Sequence, residues 1–205
     1  GVYAPLGPTH QAIEDIGIMR LLPNMTVLAP CDAIEAACLI NRTLHWPQPV
    51  YMRLGKGGDK VITNDQNSIK IGISDLKKKP GNVLLISTGV MTQNALEASR
   101  ILAKEGIECG VLHFSTIKPL DTASLMSWIP KVEAVITIEE HFRVGGLGSA
   151  VLEFASDFMP EQTPKVHRIG IENKFAESYG SQNSLWQAWE IDLSSIVRKI
   201  RKIFS

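Results

Sequence analysis

Short apolar runs alternate along the chain with stretches in which apolar residues recur every three or four positions. Residues 26–29 are a short apolar run closed by Pro30, and Asp32 then opens a stretch with Ala33, Ala36, Ala37, Ile40 and Leu44 at helical spacing. Asp32 and Glu35, three apart, form a capping-box-like start. Residues 50–54 are a second short strand, held between Pro49 and the Gly55-Lys-Gly-Gly58 turn. Strand, helix, strand is the crossover unit that builds parallel sheets. Ahead of it, residues 3–15 (YAPLGPTHQAIED) read as a loop that breaks into a helix, with His10 at the hinge.

From 55 to 80 the pattern weakens into turn residues with a short strand at 69–73, so this stretch reads as a linker; Lys77-Lys-Lys79 beside Pro80-Gly81 reads as a solvated turn. Alternation then restarts. Strands are predicted at 83–87, 107–114, 134–139 and 166–171, with helices at 92–104 and 122–128. A further helix from about 149 carries Val151, Phe154, Ala155 and Phe158 on one face, and a closing helix carries Leu193, Ile196, Val197, Ile200 and Phe204. The fold class is therefore α/β, with open, mostly parallel sheets and helices on both faces. The expected organisation is two units, residues 1–72 and 73–205.

Composition narrows the function classes. The 205 residues are 44% hydrophobic and carry 21 basic against 21 acidic side chains, so no net charge favours nucleic acid or an anionic membrane as partner. No apolar run approaches the roughly 20 residues that span a bilayer, and the N-terminus has no basic-then-apolar leader pattern, so a cytoplasmic protein is expected. Cys31, Cys38 and Cys109 are odd in number and share no metal-like spacing, as reduced thiols would.

Candidate chemistry concentrates in two places. Residues 138–151 (IEEHFRVGGLGSAV) set Glu139, Glu140 and His141 and a glycine-rich turn between a strand and a helix, where open α/β sheets bind ligands. Val151 stands where a dinucleotide fingerprint wants glycine or alanine, and a tight strand-to-helix turn explains the glycines. The carboxylates and imidazole suit acid/base work or, because neighbours on a strand point to opposite faces, loop capping or a contact between domains. His45, His113 and His167 read as structural, and Arg198, Lys199, Arg201 and Lys202 as the solvated face of the last helix.

The second place is the opening loop. Gly7-Pro-Thr-His-Gln11, followed by Glu14-Asp15 and Arg20-Leu-Leu-Pro-Asn24, resembles the D-G-P-T-H-Q…E-D…R-x-x-P-N segment of the thiamine diphosphate-dependent transketolase family. The likeness continues through Ala29-Pro-Cys-Asp32 with Glu35 (R-P-A-D-x-x-E in the family), Tyr51-Met-Arg53, Ser87-Thr-Gly89, Lys118-Pro-Leu-Asp121, Glu139-Glu-His141 and Gly145-Gly-Leu-Gly-Ser149. It implies the end of a pyrimidine-binding domain followed by a transketolase C-terminal domain, from a transferase that moves a two-carbon ketol unit between sugar phosphates. Deoxyxylulose-phosphate synthase and the β subunits of 2-oxo acid dehydrogenases share much of the layout and are the alternatives. A non-catalytic dimerisation or docking module is the alternative of another class.

By the same resemblance His10 is the catalytic and substrate-binding imidazole that meets the sugar, and Arg53 the guanidinium that grips a substrate phosphate. Leu6 stands where the family has the aspartate that contacts a donor hydroxyl, which leaves the sugar open. The resemblance places the cofactor-activating glutamate, the aminopyrimidine pocket and the diphosphate- and metal-binding domain ahead of Gly7. It therefore implies thiamine diphosphate and Mg in the complete enzyme, with no cofactor or metal residue in this chain. The partners it implies are an N-terminal section or subunit, a second copy as a homodimer, and a sugar phosphate substrate; this chain alone is expected to be inactive.

Overall fold

The computed structural model describes residues 1–204. Two short 3-10 turns, Ala4–Leu6 and Pro8–His10, lead into α1 (Asp15–Leu21), β1 (Thr26–Leu28), α2 (Ala33–Thr43) and β2 (Val50–Met52). After a long irregular stretch come β3 (Asp75–Lys78), β4 (Val83–Ser87), α3 (Met91–Ala103), β5 (Cys109–His113), β6 (Thr116–Lys118), α4 (Thr122–Trp128) and β7 (Ala134–Phe142). The chain closes with α5 (Leu147–Phe158), β8 (Lys165–Ile171), α6 (Gln182–Ala188) and α7 (Leu193–Phe204).

β1 and β2 pair in parallel, as the crossover pattern requires, and β6 joins the other edge of β1 antiparallel to give a three-stranded sheet. The larger sheet has the order β3-β5-β4-β7-β8, with β3 antiparallel and the rest parallel. Its central strand β4, Val83-Leu-Leu-Ile-Ser87, is buried throughout. That burial explains an unbroken apolar run, because a parallel strand covered on both faces has no polar side. Leu84 and Ile86 pack with Leu125, Val151 and Phe154 under α4 and α5. Val83 and Leu85 pack with Met91, Ala95, Val197 and Ile200 under α3 and α7. Each such aliphatic side chain withdraws about 1.5–3 kcal/mol worth of apolar surface from water.

Three expectations are corrected. The stretch 55–80 is not wholly a linker, since β3 occupies 75–78 as an edge strand while 69–73 forms none. Lys77 is accordingly no solvated turn residue: its side chain is 8% exposed and its Nζ lies 2.7 Å from Asp75 Oδ2. Its charge is tolerated there because it is paired. On α2 the predicted apolar face is not the buried one. Ala33 and Ala37 are exposed, Ile40 and Leu44 are 47% and 73% exposed, and the buried residues are Glu35 and Leu39. A carboxylate goes inside because it finds donors there, as described below. Phe158 stacks on Phe154 at 5.3 Å yet is 71% exposed. No helix among the described residues is long and apolar enough to cross a membrane.

Candidate functional site

The His10 loop is shaped by its glycine and proline. Gly7 has φ 76°, a left-handed conformation that any side chain would strain, and Pro8 starts the 3-10 turn. A Cβ on Gly7 would stand 2.2 Å from the Tyr179 ring, and Gln11 Nε2 donates to Ser178 O at 3.3 Å. The loop therefore rests on residues from the far end of the chain. Thr9 Oγ1 and His10 Nδ1 share a hydrogen bond of 3.0 Å. His10 is exposed, and Nε2 is the ring nitrogen left for another partner.

Arg53 follows β2 and is drawn inward. Its Nε donates to Asp15 Oδ2 at 2.9 Å, Nη2 to Asp15 Oδ1 and to Ala12 O at 3.1 Å, and Nη1 to Glu140 O at 2.5 Å. The Arg53 and Asp15 side chains are 9% and 10% exposed. Tyr51, two residues back on the same strand face, donates its hydroxyl to Asp15 Oδ2 at 2.5 Å. Burial pushes the Asp15 carboxyl up, but the Arg53 guanidinium and the Tyr51 hydroxyl outweigh it and hold the group at about 2. Burial and the Asp15 carboxylate together push the Tyr51 phenol up.

His10 and Arg53 line one cavity of about 320 Å³ together with Tyr51, Lys56, Glu140 and Gln182. Leu6, half exposed, is not among its lining residues. Glu140 comes from β7, and its Oε1 accepts from Trp186 Nε1 at 2.7 Å and Gln182 Nε2 at 3.2 Å, both on α6. Around the cavity Asp15 and Tyr51 are bonded to each other, Arg53 to Asp15, and Glu140 to α6.

Glu139 and His141 point the other way from Glu140 and serve structure. Glu139 accepts from the first amides of α5, Leu147 N at 2.7 Å and Gly148 N at 2.9 Å, where the helix dipole favours an anion. Its burial nonetheless pushes the carboxyl up to about 7 against those donors. His141 donates Nδ1–H to Phe142 O at 2.7 Å and accepts Gly17 N–H on Nε2 at 3.0 Å, so the ring is neutral with its tautomer fixed. Burial and the Arg53 charge lower its pKa, in keeping with that. Arg20 adds bonds to Gly145 O at 2.5 Å and Gly146 O at 3.1 Å. The segment after His10 is thus stitched to the glycine turn by capping and by cross-unit contact, and of the three candidate acid/base groups only Glu140 reaches the cavity.

Sequence reasoning names Asp15 and Tyr51 only as parts of the family-like segments and Glu140 only within the Glu139-Glu-His141 group, and it misses Gln182 and Trp186. Two signals exist: Tyr51 and Arg53 share a strand face, and an inward arginine needs a carboxylate such as Asp15. Nothing local in the sequence brings α6 to the cavity.

Comparison with known proteins gives the family. The family described as transketolase, C-terminal domain, matches residues 72–196, and the one described as transketolase, pyrimidine binding domain, matches residues 1–58. An uncharacterized transketolase family protein of Sinorhizobium fredii is 36% identical over 98% of this chain and 59% of its own length. A 1-deoxy-D-xylulose-5-phosphate synthase of Halothermothrix orenii is 33% identical over 99% of this chain and 32% of its own length. A solved split gene transketolase, described as an inactive β4 tetramer, superposes with TM-score 0.86 at 33% identity, over 95% of this chain and 62% of its own. The chain spans less than two thirds of each.

Proposed function

The chain belongs to the transketolase family, and from that premise we propose that it is the C-terminal section of a transferase that moves a two-carbon ketol unit between sugar phosphates. An upstream section or separate N-terminal subunit supplies the sites for thiamine diphosphate and Mg, and a second copy completes a homodimer. The cofactor, when bound in the complete enzyme, carries the ketol unit, and the residues of this chain hold and orient the sugar.

The observation that supports the reading best is the shared cavity, with an exposed imidazole and a dry guanidinium on one wall. His10, held through Nδ1 by Thr9, presents Nε2 to a substrate hydroxyl or to oxygen charge forming in the transition state. Arg53 has four of its five N–H groups committed, so one is left to meet a phosphate. A bidentate grip would require Asp15 to let go. We also propose that residues 1–72 and 73–205 are the functional units, the second chiefly bracing the first, and that this chain has no turnover alone.

The test is reconstitution. The chain is mixed with its candidate N-terminal partner, thiamine diphosphate, Mg and a ketose phosphate, and ketol transfer to an aldose phosphate is followed. Transfer only with both polypeptides present supports the reading. No transfer, with complex formation verified by sedimentation, favours the docking module instead.

A further inference from the structure

Cys31, Glu35 and His113 lie in one fully buried knot where the start of α2 meets β5, and their Sγ, carboxylate and imidazole atoms all fall within 4.8 Å of one another. We infer that these three side chains form a structural zinc-type metal site that clips the N-terminal segment to the C-terminal unit. The site does not depend on the ketol-transfer reading and is separate from any metal that accompanies thiamine diphosphate.

Thiolate, imidazole and carboxylate are the donors divalent zinc takes. Charge closes as well: one thiolate and one carboxylate neutralise a divalent ion, which a dry interior requires. The ligands are already oriented. Glu35 Oε2 accepts Cys31 N–H at 2.7 Å and lies 2.8 Å from His113 Nε2. The other imidazole nitrogen, Nδ1, is 2.7 Å from Thr92 Oγ1, which Ser87 Oγ holds in turn at 3.0 Å. A partner on the far nitrogen is what metal-binding histidines have. The Thr63 hydroxyl lies 3.9 Å from Cys31 Sγ.

Without a metal, the Cys31 thiol and the His113 imidazole each hydrogen-bond to the Glu35 carboxylate; a metal would draw all three donor atoms to one centre. The Cys31 S–H gives its proton to the buffer as the metal–sulfur bond forms; the proton that His113 Nε2 donates to Glu35 leaves as Nδ1 takes one up toward Thr92, so Nε2 binds through its lone pair, and Glu35 binds through a carboxylate oxygen. The carboxylate and imidazole must part by about 0.5 Å, because bonds of about 2.0–2.1 Å at tetrahedral angles separate two ligands by about 3.3 Å. The site is sealed, so loading accompanies folding or opening of the two units.

The test uses the full-length protein refolded with zinc or cobalt and then freed of loose metal. Atomic emission should find about one equivalent of zinc per chain. Cobalt should give a thiolate charge-transfer band and the intense visible bands of a four-coordinate site. Cys31→Ala, which carries the residue of the family motif and should fold, should abolish the charge-transfer band and weaken zinc binding roughly 100-fold or more. Glu35→Gln should lower affinity while keeping the sulfur band, and Cys38→Ser should change neither. Refolded protein with native circular dichroism but no bound metal would overturn the inference. So would Cys31→Ala retaining the equivalent of metal, or the sulfur band moving with Cys38.

Discussion

The Arg53–Asp15 pair is the most consequential contact at the cavity, and its removal can be worked through. In Arg53→Ala the Asp15 carboxylate keeps only Tyr51 as donor, and the Glu140 and Ala12 carbonyls lose theirs, all in a region where both side chains are about 10% exposed. Leaving a buried charge unpaired costs about 3–5 kcal/mol. Asp15→Asn strands the guanidinium and should cost a similar amount, while the double variant Asp15→Asn/Arg53→Met removes both charges and should cost less than the sum of the singles. Linkage gives an independent handle. The Asp15 pKa is lowered from 3.8 to about 2, so its contribution, about 2 kcal/mol, is fully present above the unfolded value and lost as pH falls toward 2. Urea denaturation of wild type and variants, repeated from pH 6 down to pH 3, reads both quantities. If Arg53→Ala lies within about 1 kcal/mol of wild type, or if the costs simply add, the pair is an ordinary surface contact and the reasoning fails.

Other consequences can be checked in the same protein. Glu139 has its folded pKa raised from 4.5 to about 7, so its contribution is full below about pH 4.5 and is lost as pH rises through 7; the stability gap between wild type and Glu139→Gln should shift by about 3 kcal/mol between pH 5 and pH 8. Gly146→Ala places a Cβ 1.9 Å from Glu139 Oε2 and 2.6 Å from His141 Nδ1, and should cost about 1–3 kcal/mol in urea. Thr9→Val removes the partner of His10 Nδ1 at an exposed site; thermal melting should be unchanged while kcat of the reconstituted enzyme falls about fivefold, the worth of one ordinary hydrogen bond.

How far the sequence carries depends on the range of the forces involved. Period and turn chemistry are local, so the buried strand 83–87 and the amphipathic helix ending in Phe204 are plain in the sequence. The face that α2 buries is not, because Glu35 is drawn inward by His113, 78 positions away. β6 is only three residues long, and its partner β1 lies some ninety positions earlier. For the site, family likeness marks His10 and Arg53, and the structure sets both on one cavity. The counter-charge Asp15 and the α6 donors to Glu140 emerge only when distant segments pack.

The measurement closest to the central claim is turnover of the reconstituted enzyme with His10→Ala. Because His10 is exposed, the substitution should leave melting temperature and assembly with the N-terminal partner unchanged, yet lower kcat/KM for a ketose phosphate about 100-fold or more. A well-assembled variant within about twofold of wild type, less than about 0.5 kcal/mol of transition-state stabilisation, would contradict the assignment of this cavity as the place where substrate meets the chain.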